Sequence, residues 1–291
     1  MAKARAIVKR RRAVRNIRKI TSTMQLIATA RFQRCLQRAL ASKPYTTKLT
    51  ELIQTLSAQD ALDHPLLREN PPAGRSVLLV ITSNRGLCGA YNASVLRAAM
   101  DHRQRLVDQK IEPALEMVGR KGVQYCRYLG YELAATITNV EDRIAFSRVA
   151  EMAERYMRLY ASGECVRVDV GFMRFHSVGV QRPEVLGLLP IRPAAQPATG
   201  SRPHRHAEFE FSPARDELLA RLIPESVKVQ LYQCFNDAIV SEQVARMVAM
   251  KAATDAAGDM IRFLTRAYNR ARQTQITLEL ADIVGGAEAV R

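Results

Sequence analysis

The residues from Pro224 to Val284 read PESVKVQLYQCFNDAIVSEQVARMVAMKAATDAAGDMIRFLTRAYNRARQTQITLELADIV. Pro224 opens the stretch, and its fixed φ suits the first position of a helix. The next glycines are Gly258, Gly285 and Gly286. A helix continued to about Val290 would be roughly 100 Å long, at about 1.5 Å per residue. Ordinary globular helices are much shorter, so this one needs a partner along its length. Phe235, Ala238, Glu242, Ala245, Ala249, Ala252 and Ala256 step by alternating threes and fours. That is the 3.5-residue period of a coiled coil. Five of these seven seam positions are alanine, which lets a partner backbone approach closely.

A matching helix lies at the other end of the chain. Residues 3–57 contain no glycine, and the first proline is Pro44. Val14, Ile17, Thr21, Met24, Ala28, Arg31 and Cys35 again alternate threes and fours, and the pattern resumes after Pro44 through Leu49, Leu52, Ile53 and Leu56. The ends of a compact middle domain can lie close together, so an antiparallel pairing of the two helices is expected. The bland alternative is that each helix belongs to an ordinary bundle.

Between the helices the rhythm changes. His64, Pro65, Asn70, Pro71, Pro72 and Gly74 mark a break. Residues 76–82 form a short apolar run of the kind found in a buried parallel strand. Further strands are predicted at 114–118, 133–137, 165–175 and 185–189. Helices are predicted at 92–109, 121–129, 141–160 and, briefly, 215–223. Strands alternating with helices imply a mostly parallel sheet with helices packed on it. The organisation expected is therefore an α/β domain, residues 74–212, inserted between two long terminal helices, 1–60 and 213–291, that pair as an antiparallel coiled coil. Residues 190–206, PIRPAAQPATGSRPHRH, read as an exposed loop rich in proline and basic residues.

The net charge of +16 is unevenly placed. Residues 1–50 hold 14 lysines and arginines and no acid, while the rest of the chain is close to balanced. A nucleic-acid arm, a membrane-surface helix and an interface with an acidic protein all fit such a segment. No apolar run reaches the roughly 18 residues of a transmembrane helix. The cysteines Cys35, Cys88, Cys126, Cys165 and Cys234 form no CxxC pair and show no metal-ligand spacing. Reduced, mostly buried thiols in a cytosolic compartment are the expectation.

Candidate chemistry is sparse. Thr82-Ser-Asn-Arg-Gly-Leu-Cys-Gly-Ala-Tyr-Asn92 follows the first strand and precedes a helix, where phosphate-binding loops sit. It lacks the GxxxxGK[ST] pattern and the third glycine of GxGxxG, so a tight strand-to-helix turn is the favoured reading. Cys88, at a possible helix N-terminus, has no histidine near it in sequence. His64, His102 and His176 form no constellation, and His204 and His206 have no carboxylate or thiol at ligand spacing. No catalytic, cofactor-binding or metal site is expected.

Four segments together resemble the γ subunit of F-type ATP synthases, the central rotor shaft. They are Arg18-Lys-Ile-Thr-Ser-Thr-Met-Gln-Leu-Ile-Ala-Thr-Ala30, Ile81 to Asn92, Ser241-Glu-Gln-Val-Ala-Arg-Met-Val-Ala-Met-Lys-Ala-Ala-Thr-Asp255, and Asn269 to Val284. They fall at both ends and in the middle, in the family's order. The resemblance implies a non-catalytic shaft of two paired helices carrying an α/β domain. It implies that the shaft enters the hole of a hexamer of three α and three β subunits, and that its base joins the ε subunit and the c-ring of the membrane sector. It also implies that rotation of the ring drives the β subunits through successive conformations. Carried over by motif position, Arg18, Lys19, Met24, Arg272, Gln273, Thr277 and Glu279 would contact the α/β ring. Ala238, Ala245, Ala249, Ala252 and Ala256 would be the shaft seam, and Arg85, Gly86, Cys88 and Gly89 belong to the signature loop. The apolar residues Leu278, Leu280, Ile283, Val284, Ala287, Ala289 and Val290 would turn in a hydrophobic collar.

The resemblance has departures. The family commonly has Lys-Ala where Ser22-Thr23 stand, an Asp at Asn84 and an Asn at Ala256. The segment 190–212 has no cysteine, so the redox insertion of the chloroplast form is not expected. With no separate transit peptide read at the N-terminus, the expected place is the cytoplasmic face of a bacterial plasma (inner) membrane, peripheral and attached only through the complex. Neither a cofactor nor nucleic acid is expected as a partner. A basic coiled-coil nucleic-acid binder stands as the alternative function.

Overall fold

The computed structural model describes residues 2–57, 64–71, 74–191 and 215–289. Most of the 190–206 loop, the boundary at 212/213, His204, His206 and Val290 lie outside these residues. The elements are α1 (Ala2–Ser57), β1 (Gly74–Ile81), α2 (Tyr91–Asp108), β2 (Ile111–Val118), α3 (Arg120–Tyr128), β3 (Ala135–Ile137), α4 (Phe146–Ala161), β4 (Arg167–Phe175), β5 (Gln181–Leu189) and α5 (Arg215–Ala289). They divide into two compact units, one of residues 1–30 with 246–291, the other of residues 31–245.

The larger unit holds one five-stranded sheet in the order β3-β2-β1-β4-β5. Strands β1 to β4 pair in parallel, and β5 returns antiparallel to β4 as a hairpin. Strand β1 is central, and its side chains alternate between two apolar layers. Val77, Leu79 and Ile81 face a core shared with Val149, Ala153 and Tyr156 of α4, Phe32 and Ala39 of α1, and Leu219, Ile223, Val227 and Phe235 of α5. Leu78 and Val80 face the other core, with Val95, Leu96 and Ala99 of α2 and Val123 and Cys126 of α3. Burial on both sides explains why β1 is a continuous apolar run rather than an alternating one.

The smaller unit pairs the start of α1 with the end of α5. Arg11 lies over the Tyr268 ring at 5.3 Å, and Thr254 Oγ1 donates to Thr21 Oγ1 at 2.8 Å. Arg18 lies at Gly258, where an added Cβ would sit 3.9 Å from the guanidinium carbon. Numbers rising along α1 meet numbers falling along α5, so the pair is antiparallel. Its buried apolar contact is small, formed by Val14, Ala257 and Leu264 with Ile7 and Ile261 beside them.

The starts of α4, at Phe146 rather than 141, and of α5 differ from the sequence reading. Helix α5 begins at Arg215, so Pro224 lies inside it rather than at its first position. An interior proline forfeits a main-chain hydrogen bond and crowds the preceding turn. Here Leu219, Ile223, Val227 and Leu231 are all fully buried along one face of this region, and Ser226 Oγ donates to the Ile223 carbonyl at 2.7 Å. Burying four apolar side chains outweighs one lost bond, and the helix runs through. Likewise α1 contains Pro44 without ending there.

Candidate functional site

The loop after β1 is a closed structure held by its own polar groups. Ser83 N donates to Asn92 Oδ1 at 3.0 Å, and Asn92 Nδ2 donates to Ser83 Oγ at 2.8 Å and to Cys88 Sγ at 3.3 Å. Ser83 Oγ in turn donates to the Arg85 carbonyl at 2.7 Å. The same loop occupies the N-terminus of α3. Arg120 N donates to Asn84 Oδ1 at 3.1 Å, Lys121 N to the Ser83 carbonyl at 3.0 Å, and Gly122 N to Thr82 Oγ1 at 3.0 Å. Thr82 Oγ1 donates to the Val118 carbonyl at 2.6 Å, and Asn84 Nδ2 donates to the Val140 carbonyl. A helix N-terminus in this position can bind phosphate when its amides are open. In this chain the protein's own oxygens satisfy them, so the loop is a weld between β1 and α3.

Two glycines make that weld possible. Gly119 has φ of 92°, and a Cβ there would stand 2.3 Å from the Thr82 carbonyl oxygen. A Cβ on Gly122 would stand 2.3 Å from Met117 Sδ and 2.6 Å from Thr82 Oγ1. Within the loop, Arg85 and Gly89 are exposed, Gly86 is half-buried and Cys88 is buried. Leu87 has φ of 63°. A left-handed backbone costs a residue bearing a Cβ roughly 1–2 kcal/mol.

The residues expected to contact a ring of partner subunits fall into two groups on the helix pair. Arg18 and Lys19 are exposed and Met24 is half-buried. Arg272, Gln273, Thr277 and Glu279 are all exposed. Thr277 Oγ1 donates to the Gln273 carbonyl at 3.0 Å, and Glu279 Oε1 accepts from Gln275 Nε2 at 2.8 Å. Arg18 lies at Gly258, and 14 residues of α5 separate Gly258 from Arg272, which is about 20 Å of helix. The structure therefore keeps these groups apart along the pair. Beyond Gln275, residues 276–287 are exposed on every side, Ile276, Leu278, Leu280, Ile283 and Val284 among them.

The α5 seam differs in register from the one read in the sequence. Ala238 is buried and Ala245 and Ala249 are half-buried, but Ala252 and Ala256 are exposed. The positions turned inward are Met250, Thr254, Ala257, Ile261, Leu264, Tyr268 and Ala271. A 3.6-residue helix drifts about 20° per heptad against a 3.5-residue count. Three heptads from Phe235, the contact has passed from Ala256 to Ala257. On α1, Val14, Thr21, Ala28 and Cys35 are buried at heptad spacing, while Ile17, 52% exposed, points away.

Nothing reactive emerges among the thiols. None of the five cysteines forms a disulfide, and all are buried. Burial raises the thiol pKa of Cys35, Cys126, Cys165 and Cys234, which holds them protonated. Among the described residues no group of His, Cys, Asp and Glu could hold a metal ion, and no helix is long and apolar enough to cross a membrane.

Two buried carboxylates escaped the sequence reading. Glu116 of β2 accepts from Tyr156 Oη at 2.7 Å and from Arg155. Burial, then the Glu116 charge, drives the Tyr156 pKa upward. Asp169 of β4, fully buried, meets His102 Nε2 at 2.9 Å and Arg167 Nε at 2.7 Å. The signal was present, since each is an acid inside an apolar strand run. The partners lie 39 to 67 positions away or two along the strand, beyond what local pattern can pair.

Comparison with known proteins bears on the whole chain. A family model described as ATP synthase matches residues 3–290. An ATP synthase gamma chain of Rhodopirellula baltica is 43% identical, covering 100% of this chain and 99% of that protein. One from Leptospira biflexa is 35% identical over the full length of both, and one from Saccharopolyspora erythraea is 38% identical, covering 100% and 98%. Among solved structures, a chain of the Euglena gracilis mitochondrial ATP synthase (OSCP/F1/c-ring) shares the fold with a TM-score of 0.69 at 16% identity, covering 99% of this chain and 95% of that one. A chain of the Tetrahymena thermophila central stalk and c-ring gives a TM-score of 0.57 at 18% identity, covering 80% and 99%. Nothing found supports the nucleic-acid alternative. The chain belongs to the ATP synthase gamma chain family.

Proposed function

We propose that this chain is the central rotor stalk of a proton-translocating ATP synthase. Rotation of a membrane c-ring turns it, and it drives the catalytic β subunits in sequence through their conformations. Catalysis belongs to those subunits. The observation that carries the reading is the antiparallel helix pair whose α5 helix continues, exposed on all sides, through residues 276–287. A shaft should be stiff and should grip its bearing through few directional bonds. A pair with close contacts at Ala257 and Gly258 meets the first need. The exposed Leu278, Leu280, Ile283 and Val284 suit a hydrophobic collar, where turning breaks little at each step.

In this reading the partners are an α3β3 hexamer, an ε subunit and the c-ring. Arg18, Lys19 and Met24 touch the hexamer at one level and Arg272, Gln273, Thr277 and Glu279 at another. Ala238, Ala245 and Ala249 belong to the packed part of the shaft. The complex sits on the cytoplasmic face of a bacterial inner membrane, with this chain peripheral to it.

Co-expression with the α and β subunits of the same source tests the reading. One copy of this chain should be recovered per hexamer, with ATP hydrolysis that rotates it. Recovery only as a free chain would overturn the proposal. The double substitution Arg272→Glu, Glu279→Lys should weaken coupling or assembly, and unchanged ATP synthesis would remove these residues from the contact surface.

A further inference from the structure

Where β4 begins and β5 ends, the larger unit holds a cavity of about 480 Å³. Small-molecule sites span about 300–1,000 Å³ and are mostly apolar with a few polar groups. The apolar wall here is Ile111 at the start of β2, Val166 just before β4, Leu186 and Leu189 of β5, and Pro190 and Ile191 after it. Glu69, Pro71 and Gly187 on its rim are exposed, so the cavity opens to solvent. Asn70 also lines it but is engaged, since its Nδ2 donates to the Tyr160 and Cys165 carbonyls at 3.2 and 3.1 Å. Two half-buried polar side chains complete the lining, Arg167 of β4 and Gln230 of α5.

Arg167 is held by one edge only. Its Nε donates to Asp169 Oδ1 at 2.8 Å, and Asp169 Oδ2 lies 2.7 Å from the same nitrogen. Asp169 is fully buried and also meets His102 Nε2 at 2.9 Å. A buried carboxylate needs such partners, and together they fix where the guanidinium stands. Its terminal nitrogens Nη1 and Nη2 donate to no group among the described residues, and neither does the Gln230 amide. Gly187 leaves the space beside them open, because a Cβ there would stand 3.7 Å from Arg167 Nη2 and 3.5 Å from Asp169 Oδ1. A guanidinium gripped at Nε presents its two Nη groups as a planar fork, which matches a carboxylate with two parallel hydrogen bonds.

We infer that this cavity binds a small monocarboxylate with an apolar body, of the class of a free medium-chain fatty acid. The carboxylate sits on Nη1 and Nη2 of Arg167, the Gln230 amide donates to it, and the alkyl chain lies against Ile111, Leu186 and Ile191. Glu69 on the rim sets a like charge near the mouth, which favours a singly charged head over a doubly charged one. Asp169 and His102 are positioning residues, acting through Arg167. The inference is independent of the rotor reading, because every residue it uses lies in one unit of this chain.

The test titrates octanoate into the full chain by calorimetry. The native chain should bind one octanoate, saturably, and melt at a higher temperature in its presence. Octanamide has the same length without the charge and should bind on the order of tenfold more weakly. Acetate has the charge without the body and should not saturate in the same range. Gly187→Val covers Nη2 while leaving Arg167 with Asp169, and octanoate affinity should fall on the order of tenfold. Arg167→Lys keeps the charge but loses the fork, and a similar fall is expected. His102→Leu leaves one Asp169 oxygen to draw on the other nitrogens of Arg167. It should weaken octanoate and leave octanamide unchanged, a split that general loosening of the fold would not give. The inference is overturned if the native chain does not bind octanoate saturably, if octanamide binds as well as octanoate, or if Gly187→Val and Arg167→Lys both bind octanoate as the native chain does.

Discussion

The two units of this molecule are built from the same two long helices but are held together differently. In the larger unit, α1 and α5 join a sheet and contribute to a core of many fully buried side chains, Phe235, Val240 and Val244 among them. In the smaller unit the same helices have only each other, and their buried apolar contact is Val14, Ala257 and Leu264. The first is stabilised by burial of large side chains against several neighbours. The second relies on a few aliphatic side chains around Ala257 and on lateral contacts such as Thr21 to Thr254 and Arg11 to Tyr268. The contrast teaches that a helix pair can remain narrow, with exposed apolar residues free for partners, if a separate domain carries most of the stability.

The sharpest way to break this contrast is Phe235→Ala. Phe235 is fully buried in the sheet unit, and its truncation should cost about 3–5 kcal/mol. Denaturant unfolding of the free chain would measure this; a loss as small as that of a surface change would mean the sheet unit is not the stable part. A smaller effect is expected at Tyr156→Phe, which leaves Glu116 with Arg155 but without the phenol, at a cost of about 1–3 kcal/mol at neutral pH. The sign of its pH dependence follows from the raised pKa. The folded state keeps the phenol protonated, while the unfolded chain releases the proton near the ordinary value of about 10. The stabilisation is therefore complete below about pH 10 and declines as pH rises above it. Thermal melts between neutral and alkaline pH should show a shallower alkaline decline in Tyr156→Phe than in the native chain.

The smallest effect sharpens the register of the pair. Ala257 is buried on the seam and Ala256 is exposed. Ala257→Leu should overpack the contact at a cost of about 1 kcal/mol or more, while Ala256→Leu should change stability by less than about 0.5 kcal/mol. Hydrogen exchange of the amides in 246–289 would separate them. The reverse ranking would restore the register counted from Phe235.

Much of the fold was legible in local pattern. The β1 run was readable because a strand buried on both faces has no polar positions, and the α2 and α4 helices were readable from their one-sided apolar stripes. The β5 strand was read as beginning at 185 but starts at Gln181. Its first residues, with Arg182, Pro183 and Glu184, carry the charges and proline of a sheet edge, which obscure a strand pattern. The start of α5 was misread at Pro224 because a proline's local penalty is visible in sequence and the burial of Leu219, Ile223 and Val227 that offsets it is not. In the candidate site, the glycines of the β1 loop were visible, but its closure was not. Closure depends on Thr82, Ser83 and Asn84 meeting α3 nearly 40 residues later.

By itself the sequence determined that two long helices lie at the ends, that each carries a heptad-like period, and that a mostly parallel α/β domain separates them. Those properties follow from periodicity and composition, which act between near neighbours on the chain. The tertiary structure alone decided which alanines face the partner helix, because helical drift accumulates over several turns before any contact selects a register. It alone decided that the loop after β1 fills the start of α3 with its own oxygens, and that Leu87 is held outward in a strained conformation. These depend on hydrogen bonds and packing between residues far apart in sequence, which no local period encodes.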